Sequence, residues 1–310
     1  MRILVAGGGG FVGSHLVDLL VAAGHEVVVV DTFVTSTPRN LAHLAKNRRV
    51  RIVRRDVRLT PGGRFDRVYH LASPASPDDY GRLPVHTLLT NALGTDRLLR
   101  IAARARARFL LASTSEVYGD PLEHPQRETY AGNVDPVGPR SAYDEGKRFA
   151  EALTVAYARA HGVDARIVRI FNAYGPRMRP SDGRMPSSFI ASAIRGEPLV
   201  VHGRGRQTRS LCYVIDIARG LIAAMERGRT GEVYNIGRPD ELTVLEFARM
   251  VRRACGSSAP IRFAPSRPAD IRRRKPDIRK AKRDLRWRPT TTLRVGLAET
   301  VAWFRSELGA

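Results

Sequence analysis

The chain has 310 residues, of which 43% are hydrophobic and 26% are charged, and its formal net charge is +22. This is the composition of a globular protein with one large or two modest domains. No apolar run approaches the roughly 18 residues needed to span a bilayer, and two cysteines exclude a disulfide framework or a cysteine-based zinc site. The opening "RILVAG" is already a strand, so we expect no cleavable leader and a cytoplasmic location.

Apolar and helical segments alternate over the first part of the chain. "RILVAG" predicts a buried strand, "SHLVDLLVAAG" predicts a helix with an apolar stripe, and "EVVVVD" predicts a second strand. Further apolar runs follow at "VRIV", "DRVYHLAS", "RFLLAST" and "ARIVRIFN". Such runs between helices are typical of a parallel sheet covered on both faces. We therefore predict a doubly wound, Rossmann-type α/β fold, with a dinucleotide-binding domain over residues 1–172.

The amino-acid composition of the chain changes after Asn172. Residues 173–208 are rich in Gly, Pro and Arg, and "VYNIG" then predicts a return to the sheet. Thr243 and Glu246 have the spacing of a capping box before a helix, and "TLRVGLAETVAWFRSEL" predicts a terminal amphipathic helix. We predict a smaller C-terminal substrate lobe made of residues 173–208 and 238–310, with residues 209–237 returning to the first domain.

The first strand runs into a glycine loop, "GGGGFVG". Gly7, Gly10 and Gly13 lie between a strand and a helix, where a backbone without side chains can approach a pyrophosphate. Asp31 ends the second strand, and a carboxylate there accepts hydrogen bonds from a ribose diol and repels a 2′-phosphate. The pattern favours NAD over NADP, although nearby Arg39 weakens that exclusion. Asp56, after the third strand, is a candidate for the adenine edge.

"YDEGK" places Tyr143 and Lys147 four residues apart, on one face of a predicted helix. A free tyrosine has a pKa near 10, too high for a general base at neutral pH. We expect the Lys147 ammonium and a nicotinamide ring to lower the pKa of Tyr143, so that it accepts a proton from a sugar hydroxyl. No metal is predicted, because His70 and His124 lack the spacing of ligands.

The large positive charge raises the question of a nucleic-acid partner. The best argument for one is the run "RRRKPDIRKAKR", residues 272–283. A run of like charges is usually a solvated face, and the other arginines are spread along the whole chain. We expect no nucleic-acid partner and no membrane partner.

The glycine loop, the strand end at Thr114 and the Tyr143–Lys147 pair, in this order, resemble the extended short-chain dehydrogenase/reductase superfamily. Longer blocks resemble the UDP-glucuronic acid decarboxylases that make UDP-xylose. They include "HLASPASPDDY", "LLASTSEVYGDP", "YDEGKR", "RIFNAYGPRM", "GEPLVVHGRGRQTRSLCYV" and "RKPDIRKAKRDLRWRP". The likeness covers nearly the whole chain. "AGGGGF" departs from the usual "TGGAGF", and "SRPADIRR" before Lys275 is individual.

The resemblance implies roles for particular residues. Catalytic roles fall to Thr114, Ser115, Glu116, Tyr143, Lys147 and Arg274. NAD contacts are implied for Gly7, Gly10, Phe11, Val12, Gly13, Asp31, Thr32, Phe33, Asp56, Val57, Leu71, Ala72, Tyr143, Lys147 and Arg177. Contacts to a UDP-sugar substrate are implied for Ser73, Pro74, Glu116, Tyr143, Asn172, Arg184, Val201, Gln207, Arg209 and Arg274.

The implied reaction is decarboxylation of UDP-glucuronic acid to UDP-xylose through a UDP-4-keto intermediate. Oxidation at C4′ creates a ketone β to the carboxylate, CO2 leaves, C5′ is protonated, and C4′ is reduced again. Glu116 and Arg274 are candidates for orientation and proton delivery. Whether some UDP-4-keto-xylose is released stays open.

The alternatives are a nucleotide-sugar 4,6-dehydratase and a 4-epimerase. Dehydratases carry an acidic residue where this chain has Ser115, and a serine is a poor acid for expelling water at neutral pH. Epimerases usually have small or neutral residues at both Ser115 and Glu116. The resemblance also implies a homodimer formed through a bundle of helices near residues 86–104 and 144–161.

Overall fold

The computed structural model describes residues 1–266 and 271–309. The strands are, in chain order, β1 (Arg2–Ala6), β2 (Glu26–Asp31), β3 (Val50–Arg54), β4 (Arg67–His70), β5 (Arg108–Thr114), β6 (Ala165–Ile170), β7 (Ala173–Tyr174), β8 (Leu199–His202), β9 (Thr208–Arg209), β10 (Cys212–Tyr213), β11 (Val233–Ile236), β12 (Leu242–Thr243), β13 (Ile261–Ala264) and β14 (Arg273–Arg274). The α-helices are α1 (Phe11–Ala22), α2 (Pro77–Arg82), α3 (Pro84–Leu89), α4 (Thr95–Ala105), α5 (Ser141–His161), α6 (Met185–Arg195), α7 (Val214–Arg227), α8 (Val244–Ala254), α9 (Arg279–Leu285) and α10 (Leu293–Leu308).

The main sheet is parallel and has the strand order β11-β6-β5-β4-β1-β2-β3 within the described residues. The predicted doubly wound fold is therefore confirmed. The order reverses at β1, which pairs with β2 on one side and with β4 on the other. Ligands of such folds bind outside the carboxyl ends of the strands at this switch point.

The central strands β1, β2 and β5 are apolar on both faces because helices cover both faces. Ile3 and Val5 of β1 pack with residues of α1 and α7, such as Leu16 and Leu221. Leu4, the intervening residue, packs on the other face in the core that includes residues of α4. Successive residues of a strand point to opposite faces, so one strand serves two cores.

A smaller lobe has its own core, built from α6, α8, α10 and the parallel pair β8–β13. The predicted capping box is present, because the side chains of Thr243 and Glu246 each bond to the other's backbone N–H at the start of α8. The segment that returns to the main sheet contributes Leu211 to the lobe's core and Cys212 to the core of the sheet. Residues 267–270, which belong to the predicted lobe and to the segment "SRPADIRR", lie outside the described residues. Residue 310 of the predicted lobe also lies outside them. Within the described ranges, no helix combines the length and the apolar character that crossing a membrane requires.

Candidate active site

The glycine loop is shaped by contacts that leave no room for side chains. Gly7 has a φ of +80°, and a Cβ there would lie 2.6 Å from the backbone nitrogen of Ala72. A Cβ on Gly13 would lie 2.1 Å from the carbonyl oxygen of Gly7. Gly10 is the N-cap of α1 and provides no side-chain cap, and the first residues of α1 line the cavity beside the loop. This is the geometry that a pyrophosphate requires.

Asp31 is held beside the glycine loop by three hydrogen bonds. Its Oδ2 accepts from the Gly9 backbone N–H at 2.9 Å, and its Oδ1 accepts from Phe33 N–H at 2.8 Å and from the Ser36 hydroxyl at 3.0 Å. A small cavity of about 70 Å³ adjoins this carboxylate. The predicted cofactor residues that line it are Gly7, Gly10, Asp31, Thr32, Asp56, Val57, Leu71 and Ala72, together with Ser73 and Pro74, which were assigned to the substrate. Phe33 lines neither cavity and instead packs its ring against Gly9.

A larger cavity of about 680 Å³ lies between the carboxyl ends of the strands and the smaller lobe. All six predicted catalytic residues line it: Thr114, Ser115, Glu116, Tyr143, Lys147 and Arg274. It is also lined by Gly7, Gly10, Phe11, Val12, Gly13, Leu71, Ser73, Asn172, Arg177, Arg184, Gln207 and Arg209. The volume is within the range of about 300–1,000 Å³ found for small-molecule sites.

Val201 is placed differently from its predicted role. Its side chain is fully buried in the core of the smaller lobe, whereas Val200 and His202 line the cavity. The reason is the alternation of side chains along β8, which turns neighbours to opposite faces. The prediction of a substrate contact by the Val201 side chain is not supported by this geometry.

Tyr143 and Lys147 are buried on one face of α5, next to the end of β5. The Lys147 ammonium donates to the carbonyl oxygen of Ala112 at 2.9 Å, and burial lowers the pKa of Lys147 to about 8, with Glu151 opposing part of that shift. Burial also raises the pKa of Tyr143 above its ordinary value, although a hydrogen bond with Thr114 opposes this. The expected lowering of the Tyr143 pKa by Lys147 is thus absent from the protein alone, because desolvation of the phenolate outweighs it.

Glu116 follows β5 and lies between two guanidinium groups. Its Oε2 accepts a hydrogen bond from Arg140 and another from Arg274, the latter at 3.2 Å. Burial raises the pKa of Glu116, but Arg274, Arg140 and Arg209 together outweigh burial and hold the pKa below its usual range. The residue after Thr114 and Ser115 is therefore a carboxylate in the resting protein.

Arg274 comes from a distant part of the chain. In the site it also donates to the carbonyl oxygen of Ser115, which is 159 residues earlier in the sequence. The pairing of β14 with β9 sets Arg274 directly opposite Arg209. Arg209 is oriented in turn by hydrogen bonds from its Nη1 to the carbonyl oxygens of Thr208 and Ile271. Arg274 is 1% exposed, so it belongs to the cavity wall and not to a solvated basic face.

Sequence reasoning missed Arg140 and Asp144. Arg140 lines the cavity and bonds Glu116 on one side, while its Nε lies 3.5 Å from Oδ2 of Asp144. Burial, reinforced by the nearby charge of Glu116, raises the pKa of Asp144 to about 7. The spacing was a usable signal, because residues three and four apart on a helix are neighbours and Arg140 precedes Tyr143 and Asp144 by three and four residues.

Asn172, Arg177 and Arg184 also line the larger cavity. Asn172 has a buried side-chain oxygen without a hydrogen-bond partner among the described residues, which suits a polar ligand. Arg184 is held by Asp182, and Arg177 pairs with Asp18 at 2.7 Å. His70 is buried against Thr95, and His124 contacts Glu241. The described residues contain no group of three or more His, Cys, Asp or Glu side chains arranged to hold a metal ion.

Together these residues offer a place for a dinucleotide, a hydrogen-bonded tyrosine and a paired carboxylate between cations. The comparisons with known proteins agree with that chemistry. Residues 3–237 match the model of the NAD dependent epimerase/dehydratase family. UDP-glucuronic acid decarboxylase 1 of Arabidopsis thaliana is 53% identical over 308 residues, covering 99% of this chain and 71% of the relative.

The UDP-glucuronic acid decarboxylase 1 of Xenopus tropicalis is 50% identical and covers 99% of this chain and 73% of the relative. Among solved structures, UDP-glucuronic acid 4-epimerase from Bacillus cereus in complex with UDP-glucuronic acid and NAD is 31% identical with a TM-score of 0.89, covering 99% of this chain and 100% of that chain. With this fold, this cavity and these relatives, the chain belongs to the NAD dependent epimerase/dehydratase family and, within it, to the UDP-glucuronic acid decarboxylases.

Proposed function

We propose that this protein uses NAD to decarboxylate UDP-glucuronic acid to UDP-xylose through a UDP-4-keto intermediate. The observation that carries the proposal is the ionised Glu116 between Arg140 and Arg274, in the same cavity as Tyr143. Relatives at about half identity over nearly the full chain carry the decarboxylase name.

The residues present fit NAD. Gly7 and Gly13 let the loop pack against the backbone of Ala72 and against itself, which a Cβ at either position would prevent, and Asp31 is oriented beside the loop to accept from a ribose diol. When bound, NAD supplies a reversible two-electron oxidation at C4′ and a positive ring near Tyr143. Lys147, Leu71 and Arg177 line the same part of the cavity.

Tyr143 is the proposed general base at the C4′ hydroxyl. Thr114 shares a hydrogen bond with Tyr143, which orients the phenol. Lys147 is fixed on the carbonyl oxygen of Ala112 and adds a positive charge one helical turn from Tyr143. The same tyrosine returns the proton to O4′ when C4′ is reduced at the end of the cycle.

Loss of CO2 from the 4-keto sugar moves an electron pair onto an enolate. Arg274 provides a buried positive charge in the wall of the cavity, and this charge favours the negative charge that develops on the enolate. Because its pKa is held low, Glu116 enters the reaction as a carboxylate, so we assign it to orienting the ring and the water that protonates C5′. Ser115 supplies no carboxylic acid beside Glu116, which disfavours the dehydratase alternative.

The other substrate contacts are proposed for Ser73, Pro74, Asn172, Arg184, Gln207 and Arg209. Arginine is suited to a diphosphate because its planar fork binds two oxygens at once. Of these residues, Pro74 borders the smaller cavity and the others border the larger one. We propose that the smaller lobe, residues 173–208 and 238–310, holds the nucleotide and that residues 1–172 hold NAD.

The test is to incubate the purified protein with UDP-glucuronic acid and to resolve products by mass spectrometry. We expect CO2 and a UDP-pentose, and the ratio of pentose to keto-pentose measures how often the cycle finishes. Tyr143→Phe is expected to reduce turnover by about 100-fold or more while UDP binding persists. A 4-keto-6-deoxy hexose from UDP-glucose, with no CO2 from UDP-glucuronic acid, would refute the proposal.

We also propose a homodimer formed through helices near residues 86–104 and 144–161. Large apolar side chains are exposed on these segments: Leu88, Leu89, Leu93 and Phe149. Contiguous exposed apolar surface on a globular protein commonly marks an interface. Light scattering should give twice the chain mass, and Leu93→Glu should shift it to the monomer; a wild-type monomer would contradict the proposal.

We propose a cytoplasmic location on the ground that Cys212 and Cys255 are both free and buried. Cell fractionation tests it, and recovery in an oxidising compartment would contradict it.

A further inference from the structure

Arg140 lines the large cavity beside Glu116, yet neither the glycine loop nor the tyrosine pair needs it. We propose that Arg140 binds the carboxylate of the sugar and so makes the site select a uronic acid over a neutral hexose. This inference rests on the proposed function, since it concerns the substrate of that same site.

Accessibility separates Arg140 from the other cation on Glu116. Arg274 is 1% exposed and donates from its two terminal nitrogens to Ser115 and Glu116. The side chain of Arg140 is 28% exposed and lines the cavity. A guanidinium has five N–H donors, more than the contacts to Glu116 and Asp144 use. Arg140 is therefore the cation that an incoming carboxylate can reach without displacing Arg274.

The position of Arg140 relative to Tyr143 matches the substrate. Arg140 is the N-cap of α5 and Tyr143 is three residues further along, so the two side chains are neighbours on one helix face. If Tyr143 meets the hydroxyl on C4′, the carboxylate on the adjacent C5′ lies within about 5 Å of that hydroxyl, which is close to the pitch of an α-helix. This places the carboxylate next to Arg140.

The charges around the site explain why such a cation is needed. Glu116 is an anion, and a second carboxylate beside it would be repelled in a partly desolvated cavity. Arg140 contacts Glu116 directly, so it can lie between the two carboxylates and be shared by them. Behind it, the raised pKa of Asp144 means that this residue is partly protonated near neutral pH and neutralises less of the charge on Arg140.

The experiment compares two ligands that differ at C6′. Tyr143→Phe protein loaded with NAD is titrated with UDP-glucuronic acid and with UDP-glucose by calorimetry, with and without Arg140→Gln. We expect Arg140→Gln to weaken the binding of UDP-glucuronic acid by about 10- to 100-fold, because a hydrogen-bonded charge pair is lost. Binding of UDP-glucose should change less than about threefold, because a neutral hydroxymethyl group makes no such pair.

Arg148→Gln is the matched control. Arg148 is on the same helix and donates to the carbonyl oxygens of Val117 and Ala131, but it does not line the cavity. The Arg148→Gln substitution removes one positive charge from α5, as Arg140→Gln does, and we expect both ligands to bind to this variant as they bind without it. Arg140→Lys keeps the charge without the planar fork and should weaken UDP-glucuronic acid by about three- to tenfold, which preserves the comparison if Arg140→Gln folds poorly.

In the protein with Tyr143 intact, Arg140→Gln should raise KM for UDP-glucuronic acid more than it lowers kcat. Equal weakening of both ligands would overturn the inference, since it would show that Arg140 acts only by holding Glu116. Unchanged binding of UDP-glucuronic acid would overturn it as well. Failure of the proposed function is a different result: the unmodified protein would release no CO2 from UDP-glucuronic acid.

Discussion

The glycine loop and the charged wall opposite it are two halves of one cavity, built in different ways. The motif is seven consecutive residues, 7–13, and its shape follows from the absence of side chains at its glycines. The wall combines Glu116, Arg140, Arg209 and Arg274, which come from four separate segments. A local backbone requirement is visible in a short motif, whereas an assembled charge cluster exists only after the chain has folded.

The basic run near the C-terminus shows how far the surroundings of similar residues diverge. In β14, Arg274 is 1% exposed and pairs with Glu116. Two residues earlier, the side chain of Arg272 is 76% exposed and pairs with Asp120 at the surface. The buried pair is far more sensitive to loss of one partner than the exposed pair, whose contribution is about 0–1 kcal/mol.

Removing the anion of the wall should have the largest effect. Glu116→Gln leaves the buried Arg274 without its counter-charge, so we expect a loss of about 3 kcal/mol in unfolding free energy. Turnover should fall by about 100-fold or more, because the enolate step loses its orienting carboxylate. Denaturant unfolding and the CO2 assay measure the two effects.

The matched control for Glu116 is Glu246→Gln. Glu246 belongs to the exposed capping box of α8, where Gln is also a capping residue, so this variant should lose less than about 0.5 kcal/mol and keep its turnover. If Glu116→Gln were no more harmful than the control, the wall would not be a cooperative unit.

The loop should respond to volume instead of charge. Gly13→Ala forces a Cβ against the carbonyl oxygen of Gly7, and we expect a loss of about 2–3 kcal/mol together with a loss of bound NAD. Gly62→Ala is the control, because a Cβ there meets nothing within 4 Å. Melting temperature and the NAD content of the purified protein check this; a Gly13→Ala protein that retains NAD would contradict the assigned cradle.

The smallest effect should be a pH dependence in the wall. The pKa of Asp144 is raised to about 7 in the folded protein, above its ordinary value of 3.8. Between about pH 4 and pH 7 the folded state therefore holds a proton that the unfolded state has lost, and stability falls as pH rises through this window. Asp144→Asn removes that slope, so the unfolding free energy of the variant minus that of the wild type should increase by about 2 kcal/mol from pH 5 to pH 8. The difference between their melting temperatures should increase over the same range. An unchanged difference would show that Asp144 is not the titrating group.

Most of the sheet was predictable because most of its strands are short apolar runs that can be recognised in the sequence. Apolar runs such as "EVVVVD" and "RFLLAST" are confirmed as β2 and β5, since both of their faces are buried. The capping box of α8 is confirmed for a similar reason, as it depends on residues three apart. The sequence did not show that the side chain of Val201 lies in the core of the lobe while those of Val200 and His202 line the cavity, because the face on which a short strand presents a side chain depends on what packs against it.

The chemistry of the site was only partly predictable. Tyr143 and Lys147 share a helix face, as their spacing requires, but burial raises the pKa of Tyr143 in the protein alone, whereas the expected lowering included the charge of a nicotinamide ring. The desolvation of Tyr143 depends on every element packed around it, so it cannot be predicted from the spacing of Tyr143 and Lys147. Arg140 and Asp144 were overlooked because a charged residue near a helix start is ordinary until its partner is known.

By itself, the sequence determined the parallel α/β fold, the glycine cradle and the helix that carries Tyr143 and Lys147, because each depends on residues close together in the chain. Only the tertiary structure decided that Glu116 lies between Arg140 and Arg274, and that Arg209 faces Arg274 across two short strands. The physical reason is that burial and charge pairing depend on distances in space, and these contacts join residues as far as 158 positions apart.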